Sequence, residues 1–429
     1  MIINPSIVML CLITLVKPPS LSTEGDDGHR MPGLRGEVTI EVDGRGIPTI
    51  RAMDGRDAHA GLGWMHGRER FFQMDMTRRK AAGELAALAG PALLDQDRDP
   101  AMARRREQAE RIANMLPADE KSILEAYARG VNAGVGSLAE PPVEYGILKA
   151  EPRPWSPADS ILVVLSMFDQ LQRSADQEPA VHDLRGFVGG RVADWMLSVP
   201  GRWDSLLIAP DASESTPAYP PDLDRAGARF DPTTPRRIVT AMRHPVEIQP
   251  GSNSFAVAGS RTADGRAIVA NDPHLATFAP GIWYRVALRW PGVAADGISL
   301  PGTPGLPVGT TELITWGLTN TTGDFEDLVV VEVDPDDNSR YRVDGGHEPF
   351  DDRIVTIEVA GGPDVEIRSR FTRWGPVLSA LPDGRPLALL RACDQAGAVN
   401  FGIVGLLEAE SLETGLDVAS AWGGPSQNV

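Results

Sequence analysis

Cysteine is almost missing from this chain of 429 residues: Cys11 and Cys393 are the only two. No disulfide framework is implied, and Cys393 reads as a small buried apolar residue rather than a reactive thiol. Long apolar runs are missing too. The run IVMLCLITLV, Ile7–Val16, has ten residues, against the roughly 20 that a membrane-spanning helix needs. It has the length of a signal-peptide core, but no Lys or Arg precedes it and no A-x-A cleavage site follows. Positive charge is short: 41 Lys and Arg face 59 Asp and Glu, a net charge of −18. That argues against nucleic acid, whose phosphates call for a basic surface. No cluster of histidines points to zinc, and no internal repeat or low-complexity tract is evident.

What is present is an apolar fraction of 42%, enough for a large core and for two or three domains. Val38, Ile40 and Val42 alternate with Thr39 and Glu41, the pattern of a half-buried strand. Residues 57–88 read as a helix, with Leu62, Met65, Phe72 and Met76 near a core-facing side and Gly90-Pro91 ending it. Helical patterns continue over Ala101–Met115 and, after Pro117, through Leu124, Tyr127 and Val131. Ser156-Pro157-Ala158-Asp159 reads as a helix start with Ser156 as cap, running to Leu171. Residues 209–250 differ: the stretch Asp211–Pro221 is rich in Pro, Ser and acids, as exposed flexible segments are. A loop that long inside a compact protein needs a reason. Beyond it lie strand patterns at Ile282–Trp290, Leu328–Val333, Ile354–Val359 and Val365–Phe371. Helices first and strands after, without βαβ alternation, argue against a doubly wound sheet and predict an α+β class.

The most informative stretch is GSNSFAVAGSRTADGRAIVANDPHL, Gly251–Leu275. A small residue precedes Ser252, and β-like runs follow at Ser254–Ala258 and Ala267–Ala270. If the chain is cut between Gly251 and Ser252, Ser252 gains an α-amine beside its own hydroxyl. An unperturbed α-amine titrates near about 7.7–8.0, so it can act as the base that a serine nucleophile requires. Without such a cut the segment is an ordinary polar turn before a strand. No Gly-x-Ser-x-Gly elbow surrounds Ser252, which ranks a Ser-His-Asp hydrolase last.

Three blocks in order resemble the penicillin acylase family of N-terminal nucleophile hydrolases. The first is Gly46-Ile47-Pro48-Thr49-Ile50-Arg51 with Gly63–Arg70, Gln73-Met74 and Gly83-Glu84-Leu85. The second is Gly251-Ser252-Asn253, Gly259–Thr262, Gly265 and Ala270–Leu275. The third is Ile314–Asn320 with Gly323-Asp324 and Asp327-Leu328. The resemblance implies a four-layer αββα sandwich with Ser252 at the edge of a central strand, beside a mostly helical α-subunit region. It implies a signal at 1–20, an α subunit at 21–208, a spacer at 209–251 and a β subunit from Ser252. The two subunits would form a heterodimer from one precursor, periplasmic or secreted, or else cytoplasmic if the signal fails. The β subunit of the family continues beyond Val429, so the chain is expected to be truncated.

The same resemblance implies hydrolysis of linear amides, such as acyl side chains of β-lactams or acyl-homoserine lactones. Ser252 would be nucleophile, the Asn320 backbone N–H an oxyanion donor with its side chain free for other ends, and His274 a neighbour of the amine. A second oxyanion donor, an Asn side chain, has no counterpart before Val429. A structural Ca²⁺ would be held by Asp324, Asp327, the Glu326 carbonyl and Glu178, oxygen donors that suit a hard cation; the other reading of these acids is a solvated loop. The competing reading of the whole chain is a truncated, catalytically inactive member acting as a binding module or without function. No membrane partner is expected.

Overall fold

The computed structural model describes residues 28–197 and 251–429, except 276 and 322. The expected signal at 1–20 and nearly all of the expected spacer therefore lie outside the described residues. Two compact units emerge. One comprises the chain up to Gln172, Pro250–Thr322 and Val329–Val429; the other comprises Arg173–Gln249 and Gly323–Leu328.

The first unit contains β1 (Thr39–Val42) and β2 (Pro48–Arg51), then helices α1 (Gly55–Ala82), α2 (Leu94–Met102), α3 (Arg105–Met115), α4 (Ala118–Gly136) and α5 (Pro157–Leu171). Asp54 caps α1 by accepting the Asp57 N–H. The helix stops at Ala82, not at Gly90-Pro91, because Gly83 takes the left-handed conformation (φ 75°) and its N–H returns to the Arg79 carbonyl. Asp97 then accepts the Leu85 and Ala86 N–H groups at 2.9 and 2.6 Å, which starts a short separate turn over Ala86–Ala89. The helix expected over Ala101–Met115 is two helices. Arg104 sits between them at φ 49° and sends its guanidinium to Asp351 and Ser369. α5 starts at Pro157, as expected, with Ser156 N–H on Asp159 Oδ2 at 2.7 Å.

Helices α1 and α4 cross at glycines. A Cβ at Gly63, Gly67, Gly130 or Gly134 would lie 1.9–2.2 Å from a carbonyl oxygen of the facing helix. Their backbones therefore touch directly, and Leu62, Met65, Met74, Tyr127 and Val131 fill one continuous core around the crossing.

The same core is floored by a six-stranded sheet of order β1-β2-β5-β6-β7-β8. Its later strands are β5 (Tyr284–Trp290), β6 (Val293–Ser299), β7 (Val308–Thr310) and β8 (Thr315–Trp316). β2 lies parallel to β5, pairing Ile50 with Leu288, and the other neighbours are antiparallel. The alternation read over Ile282–Trp290 appears as buried Tyr284, Val286 and Leu288, but Ala287 is buried too because β5 is an interior strand.

Apart from this sheet, β3 (Gly251–Val257) and β4 (Ile268–His274) form an antiparallel hairpin. β9 (Thr319–Asn320) pairs with Gln427–Asn428. The strands read downstream are found at Glu326–Val330, Asp351–Ile357 and Val365–Phe371. Cys393 is buried, and burial pushes its thiol up to about 11. The class is α+β, as expected. No helix of the described residues is long and apolar enough to cross a membrane.

The second unit has helices Glu178–Val188 and Gly190–Leu197 around a small core of Leu184 and Ala193.

Candidate active site

Ser252 is the second residue of β3 and lies opposite Pro273 of β4; Gly251 lies opposite His274. A proline has no N–H to give the ladder, so the partner strand donates no backbone N–H at Pro273, opposite the serine. His274 Nδ1 lies 3.7 Å from where a Cβ on Gly251 would stand, and His274 Nε2 meets Asp272 Oδ2 at 3.0 Å. The Asn320 backbone N–H donates to Ser252 Oγ at 3.4 Å, a long hydrogen bond. Gly251, Ser252, His274 and Asn320 thus meet in one place, half-buried apart from the exposed His274.

The Asn320 side chain bonds elsewhere, away from Ser252. Its Nδ2 donates to the Leu171 carbonyl at the end of α5 (3.2 Å), and its Oδ1 accepts from Gln427 Nε2 (3.2 Å). Thr321 N–H donates to the Ser426 carbonyl at 3.2 Å. An amide can bond at both ends, so Asn320 is anchored from two directions and its peptide is held in place. Nothing local in Thr-Asn-Thr signals this, because Leu171 and Gln427 are remote in sequence.

Sequence reasoning also missed what α1 does for the segment after β4. Arg70 Nη1 and Gln73 Nε2 both donate to the Gly281 carbonyl, at 2.7 and 3.3 Å. Tyr284 OH donates to Glu69 Oε2 at 2.8 Å, and burial raises the Glu69 carboxyl above its ordinary range. Beneath them His66 Nδ1 meets Tyr127 OH at 2.7 Å and Nε2 meets Ser299 Oγ at 2.9 Å. Gly302 N–H donates to the Tyr127 oxygen, and Ser299 OH donates to the Tyr284 carbonyl. That order assigns the Tyr127 proton to Nδ1 and the ring proton to Nε2. Burial, with Arg70 adding to it, lowers His66 to about 3, so the ring is neutral.

The acidic residues gather separately, in the second unit. Carboxylate oxygens of Glu178, Asp324 and Asp327 all lie within 4.8 Å of one another. Burial raises the Glu178 carboxyl, and Asp327 and Asp324 raise it further, while the Leu328 N–H on Glu178 Oε2 (2.8 Å) works against both. Three close hard oxygen donors could hold a calcium-type ion. The Glu326 carbonyl, the fourth expected oxygen, accepts from Ser174 Oγ at 3.2 Å. Ser174 Oγ in turn takes the Phe325 and Glu326 N–H groups at 2.9 and 2.8 Å, which folds the acidic loop.

With this geometry in view, comparison with known proteins is specific. The family model described as penicillin amidase matches residues 37–429. Penicillin acylase 2 proenzyme of Pseudomonas sp. strain SE83 is 32% identical over 375 residues, covering 84% of this chain and 46% of that protein. Acyl-homoserine lactone acylase QuiP of Pseudomonas aeruginosa is 28% identical over 414 residues, covering 90% of this chain and 46% of that one. The chain spans about half the length of these curated relatives. A thermostable penicillin G acylase from Alcaligenes faecalis, in an orthorhombic crystal form, superposes with a TM-score of 0.36 at 22% identity, over 40% of this chain and 31% of that one. That likeness is too slight to bear on the fold. The family match runs from just before the first strand to the last residue, and the chain belongs to the penicillin amidase family.

Proposed function

We propose that this chain is the precursor of an amide hydrolase whose nucleophile is Ser252, exposed by cleavage of the Gly251–Ser252 bond. The observation that carries the reading is the Asn320 N–H directed at Ser252 Oγ, with His274 beside Gly251. In self-cleavage, Ser252 Oγ attacks the Gly251 carbonyl carbon, the C–N bond breaks and the nitrogen becomes the Ser252 α-amine. Water then hydrolyses the resulting ester and frees the Gly251 carboxylate. In turnover, that amine takes the Oγ proton as Oγ attacks a substrate amide, and the proton passes to the leaving amine. Water releases the acyl group from Ser252. The Asn320 N–H stabilises the oxyanion, a donor type worth about 2.7–4 kcal/mol.

Linear amides are the substrate class, in line with relatives named penicillin acylase and acyl-homoserine lactone acylase. The word proenzyme in one of those names supports two subunits from one precursor. An export signal in residues 1–20 and a periplasmic or secreted location complete the reading. Glu178, Asp324 and Asp327 would hold a structural Ca²⁺, which supplies charge neutralisation and takes no part in bond breaking. The test is N-terminal sequencing of expressed protein: a new end at Ser-Asn-Ser supports the proposal. An uncut chain with no amidase activity points instead to a binding module.

A further inference from the structure

Asn271 has no part in the hydrolysis just described, yet two stretches of backbone meet on its side chain through three hydrogen bonds. Its Nδ2 donates to the Leu318 carbonyl at 2.8 Å and to the Asn253 carbonyl at 3.4 Å, and its Oδ1 accepts the Leu318 N–H at 3.4 Å. The side-chain amide thus pairs with both backbone groups of Leu318, as a residue on an adjoining strand would. An amide side chain suits this because it offers a donor and an acceptor together.

The approach depends on Gly317, which is buried. A Cβ there would lie 2.9 Å from Asn271 Cβ and 3.0 Å from Asn271 Cγ. In extended backbone, alternate residues face the same way. The N–H of Leu318, held by Asn271, and the N–H of Asn320, directed at Ser252 Oγ, therefore lie along one edge. Asn253, the other contact of Asn271, directly follows Ser252. One side chain ties the backbone beside the nucleophile to the backbone that carries the oxyanion donor.

We propose that Asn271 is a positioning residue that sets the distance and direction of the Asn320 N–H relative to Ser252 Oγ. Its effect on catalysis rests on the reading of Ser252 as nucleophile; its effect on the backbone does not. Gly317 is part of the same device, since any larger residue would push the Asn271 amide away from Leu318.

The test uses the full chain with Asn271→Asp, which keeps an acceptor for the Leu318 N–H but loses the donor, and with Asn271→Ala, which loses both. Residue-resolved amide hydrogen exchange is followed at Leu318 and Asn320, with Ile161 and Leu165 of the α5 core as internal controls. The expected result is exchange at least roughly tenfold faster at Leu318 and Asn320 in Asn271→Ala, a smaller rise in Asn271→Asp, and no change at the controls. In processed enzyme kcat falls about 10- to 100-fold with KM within about twofold, since the displaced donor acts on the oxyanion rather than on bound substrate. Unchanged exchange at Leu318 and Asn320 in both variants overturns the proposal, as does a rise shared equally by the controls. Faster local exchange together with full turnover in Ser252→Ala upholds the positioning role and removes the nucleophile assignment instead.

Discussion

The backbone N–H of Asn320 donates to the Ser252 hydroxyl oxygen at 3.4 Å, across 68 residues of chain. The contact joins the open end of the β3–β4 hairpin to a short strand held by α5 and by Gln427. It is long for a hydrogen bond, and catalytic bonds often tighten only when substrate is bound. Its value lies in direction: a donor already aimed at the serine needs little rearrangement to meet an oxyanion formed there.

The crossing of α1 and α4 makes a sharp prediction at Gly130. A Cβ there would lie 1.9 Å from the Ala60 carbonyl oxygen and 2.8 Å from its carbon. Backbone has to move to relieve that, so Gly130→Ala is expected to cost about 3 kcal/mol or more, at the upper end of overpacking effects. Gly136, in the same helix, has nothing within 4 Å of the corresponding position. Gly136→Ala is expected to be neutral or slightly stabilising by about 0.5–1 kcal/mol. Chemical denaturation of the two variants checks the contrast.

Asp75 makes a second. Fully buried, it accepts from Arg78 Nε at 2.7 Å, Arg79 Nε at 2.9 Å and Tyr145 OH at 2.7 Å. Asp75→Ala leaves two buried guanidinium groups short of their counter-ion, a loss of about 3–5 kcal/mol. Arg353→Ala, on an exposed ion pair with Glu107, should change stability by less than about 1 kcal/mol. Equal effects of the two in a melt would show that the buried network carries no special weight.

Acid sensitivity follows from the buried histidines. Burial lowers His66 to about 3, and burial likewise lowers His59 to about 4, with the Gly55 carbonyl opposing it. In the unfolded chain both titrate near 6.5. Between about 6.5 and those values the unfolded state binds more protons, so stability falls as pH drops through this window and levels off below it. The slope is about 1.4 kcal/mol per pH unit for each such histidine. His66→Gln keeps an acceptor for Tyr127 and a donor for Ser299 and should remove one proton from that slope. Urea unfolding at pH 7.5, 5.5 and 4.5 measures it.

The acidic group of the second unit predicts a response to calcium. At a free concentration 100 times the dissociation constant, a bound ion stabilises the folded form by about 2.7 kcal/mol. Added Ca²⁺ is expected to raise the melting temperature by several degrees, a chelator to reverse it, and Glu178→Gln with Asp324→Asn to abolish it. An identical response in the double variant assigns the ion to another place.

Much of this was legible in the sequence because local chemistry fixed it. Ser156-Pro157 started a helix where expected, and the Val365–Phe371 strand was found at its expected bounds. Ser252 stood out through Gly-Ser-Asn beside a strand, whereas His274 and Asn320 stood out only through the family resemblance; the structure places them beside Gly251 and Ser252. Boundaries failed where a distant group decided them: Gly83 ends α1 because the chain turns there to meet Asp97, and Arg104 breaks the next helix while reaching Asp351. The grip on Asn320 by Leu171 and Gln427, and the fit of Asn271 to Gly317, join residues far apart in the chain. Periodicity and turn chemistry carry no trace of such pairs.

The central claim is that the Gly251–Ser252 bond is the one that breaks. Intact-mass spectrometry and N-terminal sequencing of the expressed chain and of Ser252→Ala test it most directly. The account predicts a fragment beginning Ser252-Asn253-Ser254 in the native protein and an uncut chain in the variant. Amidase activity from a native chain that stays uncut, or the same cleavage in Ser252→Ala, would contradict it.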